Sequence, residues 1–324
     1  VAATDDPWRK VADELLGTPE LTPLEVAHES GMDPEQARRL WQAMGFPPVS
    51  DDDRLFTRSD VAILREVRRL IEIDVADRDD VVQLTRVVGQ ALARVADAQV
   101  TASATRLEKA LRESGAEALD ADAIAERVVQ LAPRLERFLA YVWRRHLLAS
   151  LRRRASLAAE GDSRLAVGFA DLVGFTPLSQ ALEPHELAVT VDRFEAIAYE
   201  HVPEHGGRVV KTIGDEVMFA TEDPVAAAEI ALSLAEAYHH EKDLPGVRVG
   251  LAAGPVLAWE GDLYGPTVNL ASRLVNLAHA NSVLVSDELG ATLRDVPGFA
   301  LKHLRAVHLQ GLGRARSWVL RRAT

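Results

Sequence analysis

An all-helical first half joined to an α+β second half is the architecture the sequence predicts, and three observations predict it. Up to about residue 160 the chain is rich in Ala, Leu, Arg and Glu, apolar residues recur at intervals of three and four, and glycine is sparse. Such a pattern belongs to successive amphipathic helices. From Arg164 onward, β-branched runs alternate with helical stretches, as in a mixed domain. Between the halves, Pro133 is expected to open a long helix, RLERFLAYVWRRHLLASLRRRASLAAE, that stops before Gly161 and Asp162. The expected domains are therefore 1–132, helical; 133–163, a helical linker; and 164–324, α+β.

Within the first half, LTPLEVAHES is a helix, Gly31 makes a turn, and a second helix starts near Asp33; Pro47-Pro48 and a wing at Arg54-Leu55-Phe56 follow. The arrangement resembles a degenerate MerR-type winged helix-turn-helix. Arg38 and Arg39 stand beside Glu35, and Asp51-Asp52-Asp53 occupies the place where a wing would meet phosphate. No DNA partner is therefore expected. The linker carries seven arginines between Arg134 and Arg154 against one acid, Glu136. A solvated face that meets acids elsewhere is the plain reading. Phe138, Tyr141, Val142 and Trp143 interleave with the charges, which makes attraction to anionic lipid heads, and a peripheral place at the membrane, the alternative.

In the second half, LAVGFA, GRVVKTIG, EVMFAT, VRVGLAAG and SVLVS read as strands. EPHELAVTVDRFEAIAYEHV and DPVAAAEIALSLAEAYHH read as helices.

Composition narrows the function. With 324 residues, 48% of them apolar and 27% charged, the chain can bury one or two ordinary cores. It has no cysteine, which removes disulfides, thiolate metal sites and cysteine nucleophiles and suits a reducing, cytoplasmic setting. No apolar run approaches the roughly 20 residues needed to cross a bilayer, and Val1 to Lys10 lacks the blocks of a secretion signal. A net charge of −12 repels a phosphate backbone, although local groups and divalent metal can still hold an anionic nucleotide.

Two aspartates begin the chemistry. Asp171 follows LAVGFA, and Asp215 sits in IGDEVMF, where two β runs meet at a Gly-Asp hairpin turn. Carboxylates at two strand ends, with no cysteine and no close histidine pair, suit two hard divalent cations, Mg2+ or Mn2+, and phosphoryl chemistry. In GDLYGPTVNLASRLVNLA, Pro266 opens a helix on which Asn269 and Arg273 share a face, fit to grip a ribose and a phosphate. Asp262 lies just ahead of it, and Lys211 lies four residues before Asp215.

FADLVGFT, KTIGDEVMF and DLYGPTVNLASR, in this order and spacing, resemble the catalytic domain of class III nucleotidyl cyclases. The resemblance covers roughly residues 164–322. It implies a ferredoxin-like βαββαβ core and a homodimer whose sites form between subunits. Asp171 and Asp215 of one subunit would hold the metals, and Lys211, Asp262, Asn269 and Arg273 would come from the other. Lys211 is a donor and Asp262 an acceptor, the pairing that complements the amino and N1 edge of adenine. ATP, converted to 3′,5′-cyclic AMP and pyrophosphate, is the implied reaction. Asn269 would orient the ribose and Arg273 would neutralise charge on the α-phosphoryl group. The family's basic residue for the terminal phosphates falls in a glycine-rich turn that here reads LQGLGRARSW, with Arg314 as the substitute.

The helical first half with a single cyclase domain resembles an actinobacterial arrangement in which the first domain restrains the second. The signal is open: pH, through His146, His185, His201 and His205, or an apolar ligand such as a fatty acid between the helices of 61–150. Two other readings stand beside this one. A catalytically weak or inactive cyclase-fold sensor would carry the same fold. The Gly214-Asp215-Glu216 motif also resembles diguanylate cyclases, but Ile213 replaces their doubled glycine.

Overall fold

Side chains that satisfy the first free N–H groups of each helix mark where the amino-terminal helices begin. Asp6 accepts from the Trp8 N–H ahead of α1 (Pro7–Leu16), and Asp33 accepts from Gln36 ahead of α3 (Pro34–Ala43). Reciprocal capping boxes, Thr22 with Glu25 and Thr57 with Asp60, start α2 (Pro23–Ser30) and α4 (Arg58–Glu72). Two long helices follow, α5 (Arg78–Ser114) and α6 (Ala121–Glu160). This computed structural model describes residues 6–74, 77–114, 121–160, 164–241, 244–309 and 313–323. The chain divides into two units, 1–153 and 154–324.

The first unit is helical, as expected. Its core has two apolar clusters: Leu21, Val26, Phe56 and Val61 with Trp41 at their edge, and Met32, Leu40, Val81 and Val82 below. At the position of the expected wing there is a single bridge, Leu21 to Phe56. A cleft of about 380 Å³, lined by Leu24, Trp41, Phe46, Leu55, Phe56 and Ile63, opens among α2, α3 and α4. The cleft is lined by residues 16–64, so it overlaps only the beginning of the 61–150 stretch in which an apolar ligand was expected. The linker helix also differs from expectation, because α6 starts at Ala121 and runs through Pro133. A proline inside a helix removes one i to i−4 bond but leaves the rest of the ladder. Twelve residues precede it in the helix, eight of them Ala, Leu, Glu, Gln or Arg, so the helix is already established where the proline falls. No helix among the described residues is long and apolar enough to cross a membrane.

In the second unit β1 (Arg164–Leu172), β2 (Arg208–Ile213), β3 (Glu216–Thr221) and β4 (Val247–Pro255) lie in the order β2-β3-β1-β4, every neighbour antiparallel. Helices α7 (Phe175–Ala181) and α8 (Pro184–Glu204) join β1 to β2, and α9 (Pro224–His240) joins β3 to β4. This is the predicted βαββαβ core. The sheet grows to seven strands through β7 (Ser282–Ser286), parallel to β4, then β11 (Ser317–Arg322) and β8 (Phe299–His303). Two hairpins stand outside it, β5 (Leu257–Trp259) with β6 (Asp262–Tyr264), and β9 (Val307–Leu309) with β10 (Gly313–Ala315). The remaining helices are α10 (Pro266–Leu277) and α11 (Asp287–Leu293).

Strand alternation sends side chains to two different layers. On one face Ala170, Phe219, Val249, Leu251 and Val285 pack against α8, α9 and α11 through Phe194, Ile230, Leu234, Tyr238 and Leu289. On the other face Val167, Phe169, Met218 and Ala252 meet Ala271 and Val275 of α10 and Leu263 of β6. Helix α10 lies so close to β4 that a Cβ on Gly250 would sit 2.2 Å from the Val275 nitrogen and 2.5 Å from the Ala271 oxygen. The clash is with backbone, which cannot rotate away. Gly250→Ala is therefore expected to cost about 1–3 kcal/mol of stability and to push α10 off the sheet. Thermal unfolding followed by circular dichroism checks this, and an unchanged melting temperature would refute the close contact.

Candidate active site

The site is built on the second face of the sheet. Asp171 sits one residue from the end of β1, where the odd positions Leu165, Val167 and Phe169 face α10. Alternation therefore carries Asp171 to the same face. The register sets it opposite Glu216 of β3 on one side and Arg248 of β4 on the other. Lys211 of β2 is registered with Met218, which also faces α10. Four charged side chains thus share one face of four adjacent strands.

Asp215 joins them through a turn. Gly214, at φ 62°, and Asp215 form the two-residue connection between β2 and β3, with Ile213 paired to Glu216. Glycine takes positive φ at the first central position of such a hairpin without steric cost. The Asp215 carbonyl accepts from the Leu172 N–H at 3.1 Å, which ties the turn to the end of β1 beside Asp171.

Charge is crowded here. Asp171 is only 8% exposed. Burial pushes its carboxyl above the usual range, Arg248 opposes that rise, and Asp215 adds to it. Glu216 is pushed up to about 7, first by burial and then by the negative charges of Asp171 and Asp215. Arg248 donates to Asp171 Oδ2 through Nε, and its Nη2 forms an ion pair with the same oxygen.

The other expected residues divide into three places. Lys211 and Asp262 are brought together: the Lys211 ammonium pairs with Oδ2 of Asp262, while Oδ1 accepts from the Leu263 N–H at 2.7 Å. A two-residue turn, Glu260 and Gly261, both at positive φ, aims β6 so that Asp262 reaches β2. Asn269 and Arg273 lie one turn apart on α10 and are exposed. Arg314 is on β10, exposed and opposite His308. The glycine-rich turn at 310–312, with Leu312, lies outside the described residues.

Reading the sequence missed Arg248 and the partnership of Glu216. The first signal was present in VRVG, where Val247 and Val249 face one layer and Arg248 must face the other. What was lacking was the strand order that makes β4 the neighbour of β1.

Among the described residues no group of three or more His, Asp or Glu side chains is arranged to hold a metal ion alone. Two clustered carboxylates remain a fitting donor set for Mg2+ or Mn2+, which commonly take one or two carboxylates and complete their shell with phosphate oxygens and water. Burial and mutual repulsion raise the Asp171 carboxyl, and a divalent charge would relieve that repulsion. Beside this, an exposed amide and guanidinium and a donor-acceptor pair are suited to a nucleotide.

Comparison with known proteins agrees with this geometry. Residues 157–322 match the family described as adenylate and guanylate cyclase catalytic domain, and residues 2–151 match the adenylate cyclase regulatory domain. An adenylate cyclase of Streptomyces coelicolor is 38% identical, over 93% of this chain and 86% of that protein. One of Streptomyces griseus is also 38% identical, over 88% of this chain and 72% of that protein. A pH-sensitive adenylate cyclase of Mycobacterium tuberculosis is 29% identical over 92% and 76%. With half its length matched to the catalytic domain and the remainder to the regulatory one, the chain belongs to the adenylate and guanylate cyclase family.

Proposed function

We propose that the protein is an adenylyl cyclase, which converts ATP to 3′,5′-cyclic AMP and pyrophosphate at sites shared between two copies of the chain. The observation that carries the reading is the Lys211–Asp262 pair, one donor and one acceptor held side by side at the edge of an acidic site. Adenine offers an acceptor at N1 and a donor at its amino group, and the pair presents their complements. Guanine offers the reverse and would meet donor with donor. The relatives named adenylate cyclase in both Streptomyces species support the same substrate.

In the reaction the ribose 3′-oxygen attacks the α-phosphorus, the new P–O bond forms in line, and the bond to the bridging oxygen of pyrophosphate breaks. Asn269 holds the ribose so that the hydroxyl is aligned. Arg273, a fixed planar cation one turn away, stabilises the charge that builds on the α-phosphoryl oxygens. Asp171 and Asp215 of the partner copy would hold two divalent cations, whose charge would ease ionisation of the attacking hydroxyl and offset that of the triphosphate. Arg314 is assigned to the terminal phosphates. The shared site rests on the separation of roles: carboxylates cluster at the turn of β2 and β3, whereas Asn269 and Arg273 project from α10. The amino-terminal unit regulates this activity, a reading supported by its match to a regulatory domain. DNA binding is not part of the proposal: Arg38 pairs with Glu35 at 2.7 Å and Asp51 at 3.3 Å, and Arg39 with Asp79 at 3.1 Å, leaving little net positive charge on α3.

Incubation of the full chain with Mn2+ and ATP, followed by chromatography, should yield cyclic AMP; no product would leave the inactive-sensor reading standing. Asp171→Ala and Arg273→Ala should each lower kcat by about 100-fold or more. Mixed in equal amounts, the two variants should regain about a quarter of wild-type activity, because half the random dimers are mixed and each holds one intact site of two. No recovery on mixing would exclude the shared site. Lys211→Glu combined with Asp262→Cys should reduce kcat/KM for ATP by about 100-fold, and unchanged ATP turnover would remove the base-reading role.

A further inference from the structure

We infer that Thr267 is a positioning residue for the ribose, one that fixes the start of α10 on the end of β4 and so sets the place of Asn269. The inference rests on the reading of Asn269 as the residue that orients the ribose, and deepens that reading. Three observations carry it. The Thr267 hydroxyl donates to the carbonyl oxygen of Pro255, the last residue of β4, at 2.8 Å, and Thr267 is only 6% exposed. The seat is shaped for it: a Cβ on Gly254 would lie 2.7 Å from Thr267 Oγ1, so glycine leaves the room that the hydroxyl needs. Finally, no side chain caps the start of α10, because its N-cap is Gly265, and Pro266 at the first helical position has no N–H.

Helix geometry turns this bond into a control on the site. Asn269 lies about 200° and Arg273 about 240° round the helix from Thr267, on the exposed side. Thr267 and Ala271 lie one turn apart on the buried side, and Ala271 and Val275 meet Gly250 of β4. Two contacts along one stripe fix the rotation of a helix, whereas one leaves it free to roll. With the Gly250 contact as pivot, loss of the Thr267 bond moves the first turn, which carries Asn269, more than the middle, which carries Arg273. A methyl group in place of the hydroxyl needs about 3.3 Å from the Pro255 oxygen rather than 2.8 Å, so Thr267→Val pushes the first turn outward by about 0.5 Å. In-line attack by the ribose hydroxyl is sensitive to displacements of that order.

The test separates alignment from binding. Initial rates of the full chain with Mn2+ and ATP give kcat and KM, and labelled 3′-deoxy-ATP, which lacks the attacking hydroxyl, gives the affinity for the nucleotide without turnover. Thr267→Val should lower kcat by about 10-fold and leave KM and the 3′-deoxy-ATP dissociation constant within about threefold of wild type. Thr267→Ser, which keeps the hydroxyl, should hold kcat within about twofold of wild type. In an Asn269→Ala background Thr267→Val should have no further effect, since Thr267 acts through Asn269. An unchanged kcat in Thr267→Val overturns the inference, and so does a loss of 3′-deoxy-ATP affinity as large as the loss of kcat, which would mean damage to the whole site. Additive losses in the double variant, or a serine variant as slow as the valine one, overturn it as well. Should Thr267→Val fail to give the wild-type circular dichroism spectrum, Thr267→Ala, which removes the bond and adds no clash, decides in its place, and an unchanged kcat there overturns the inference. A wild-type kcat in Asn269→Ala would instead reject the ribose role of Asn269, which keeps the two failures apart.

Discussion

Everything in the second unit turns on how β1 is held between β3 and β4. Its antiparallel neighbours set Asp171 opposite Glu216 and Arg248 at once. A slip of one residue in either pairing would send Asp171 into the layer of α8 and α9, which is lined by Phe194, Ile230 and Leu234. An unpaired carboxylate there would meet no partner and would cost several kcal/mol. The apolar alternation along LAVGFA resists that slip, because it would expose or misplace every buried side chain of the strand together. Fold and site are thus specified by one register.

The same face also bears on the proposed sharing of the site between two copies of the chain. Lys211 and Asp262 already neutralise one another, and both lie on the side of the sheet that α10 covers. Asn269 and Arg273, by contrast, turn outward from α10 and are exposed, with no side-chain hydrogen bond or ion pair among the described residues. An exposed guanidinium stays solvated until an anion replaces its water, so Arg273 is ready for a ligand brought by another surface. This outward geometry is what the proposed pairing of two copies uses.

The amino-terminal unit is built on different physics. Its helices are started by side-chain caps and joined by a small core around Leu21, Phe56 and Val61. Its arginines on α3 are matched by nearby acids at the surface, where each pair contributes about 0–1 kcal/mol. Those pairs set the local charge far more than the stability. On α3 these pairs leave little unpaired positive charge.

Local pattern was enough for the elements. The strands LAVGFA, EVMFAT and SVLVS, the Gly214 turn and the helix opened by Pro266 all follow from periodicity and turn chemistry, which act over a few residues. The candidate residues Asp171, Asp215, Lys211, Asp262, Asn269 and Arg273 were picked out in the same way, as short segments with fixed spacing. Local pattern misplaced the start of α6, because a proline marks a helix start only when nothing before it is already helical. Tertiary structure alone decided which residues became neighbours. Arg248 stands 77 positions from Asp171 along the chain, and only the order β3-β1-β4 brings them to one ion pair. Likewise 51 positions separate Lys211 from Asp262, and the β5–β6 turn closes that distance. Strand order is a property of the whole sheet, fixed by which faces must be buried together, and no window of the sequence contains it.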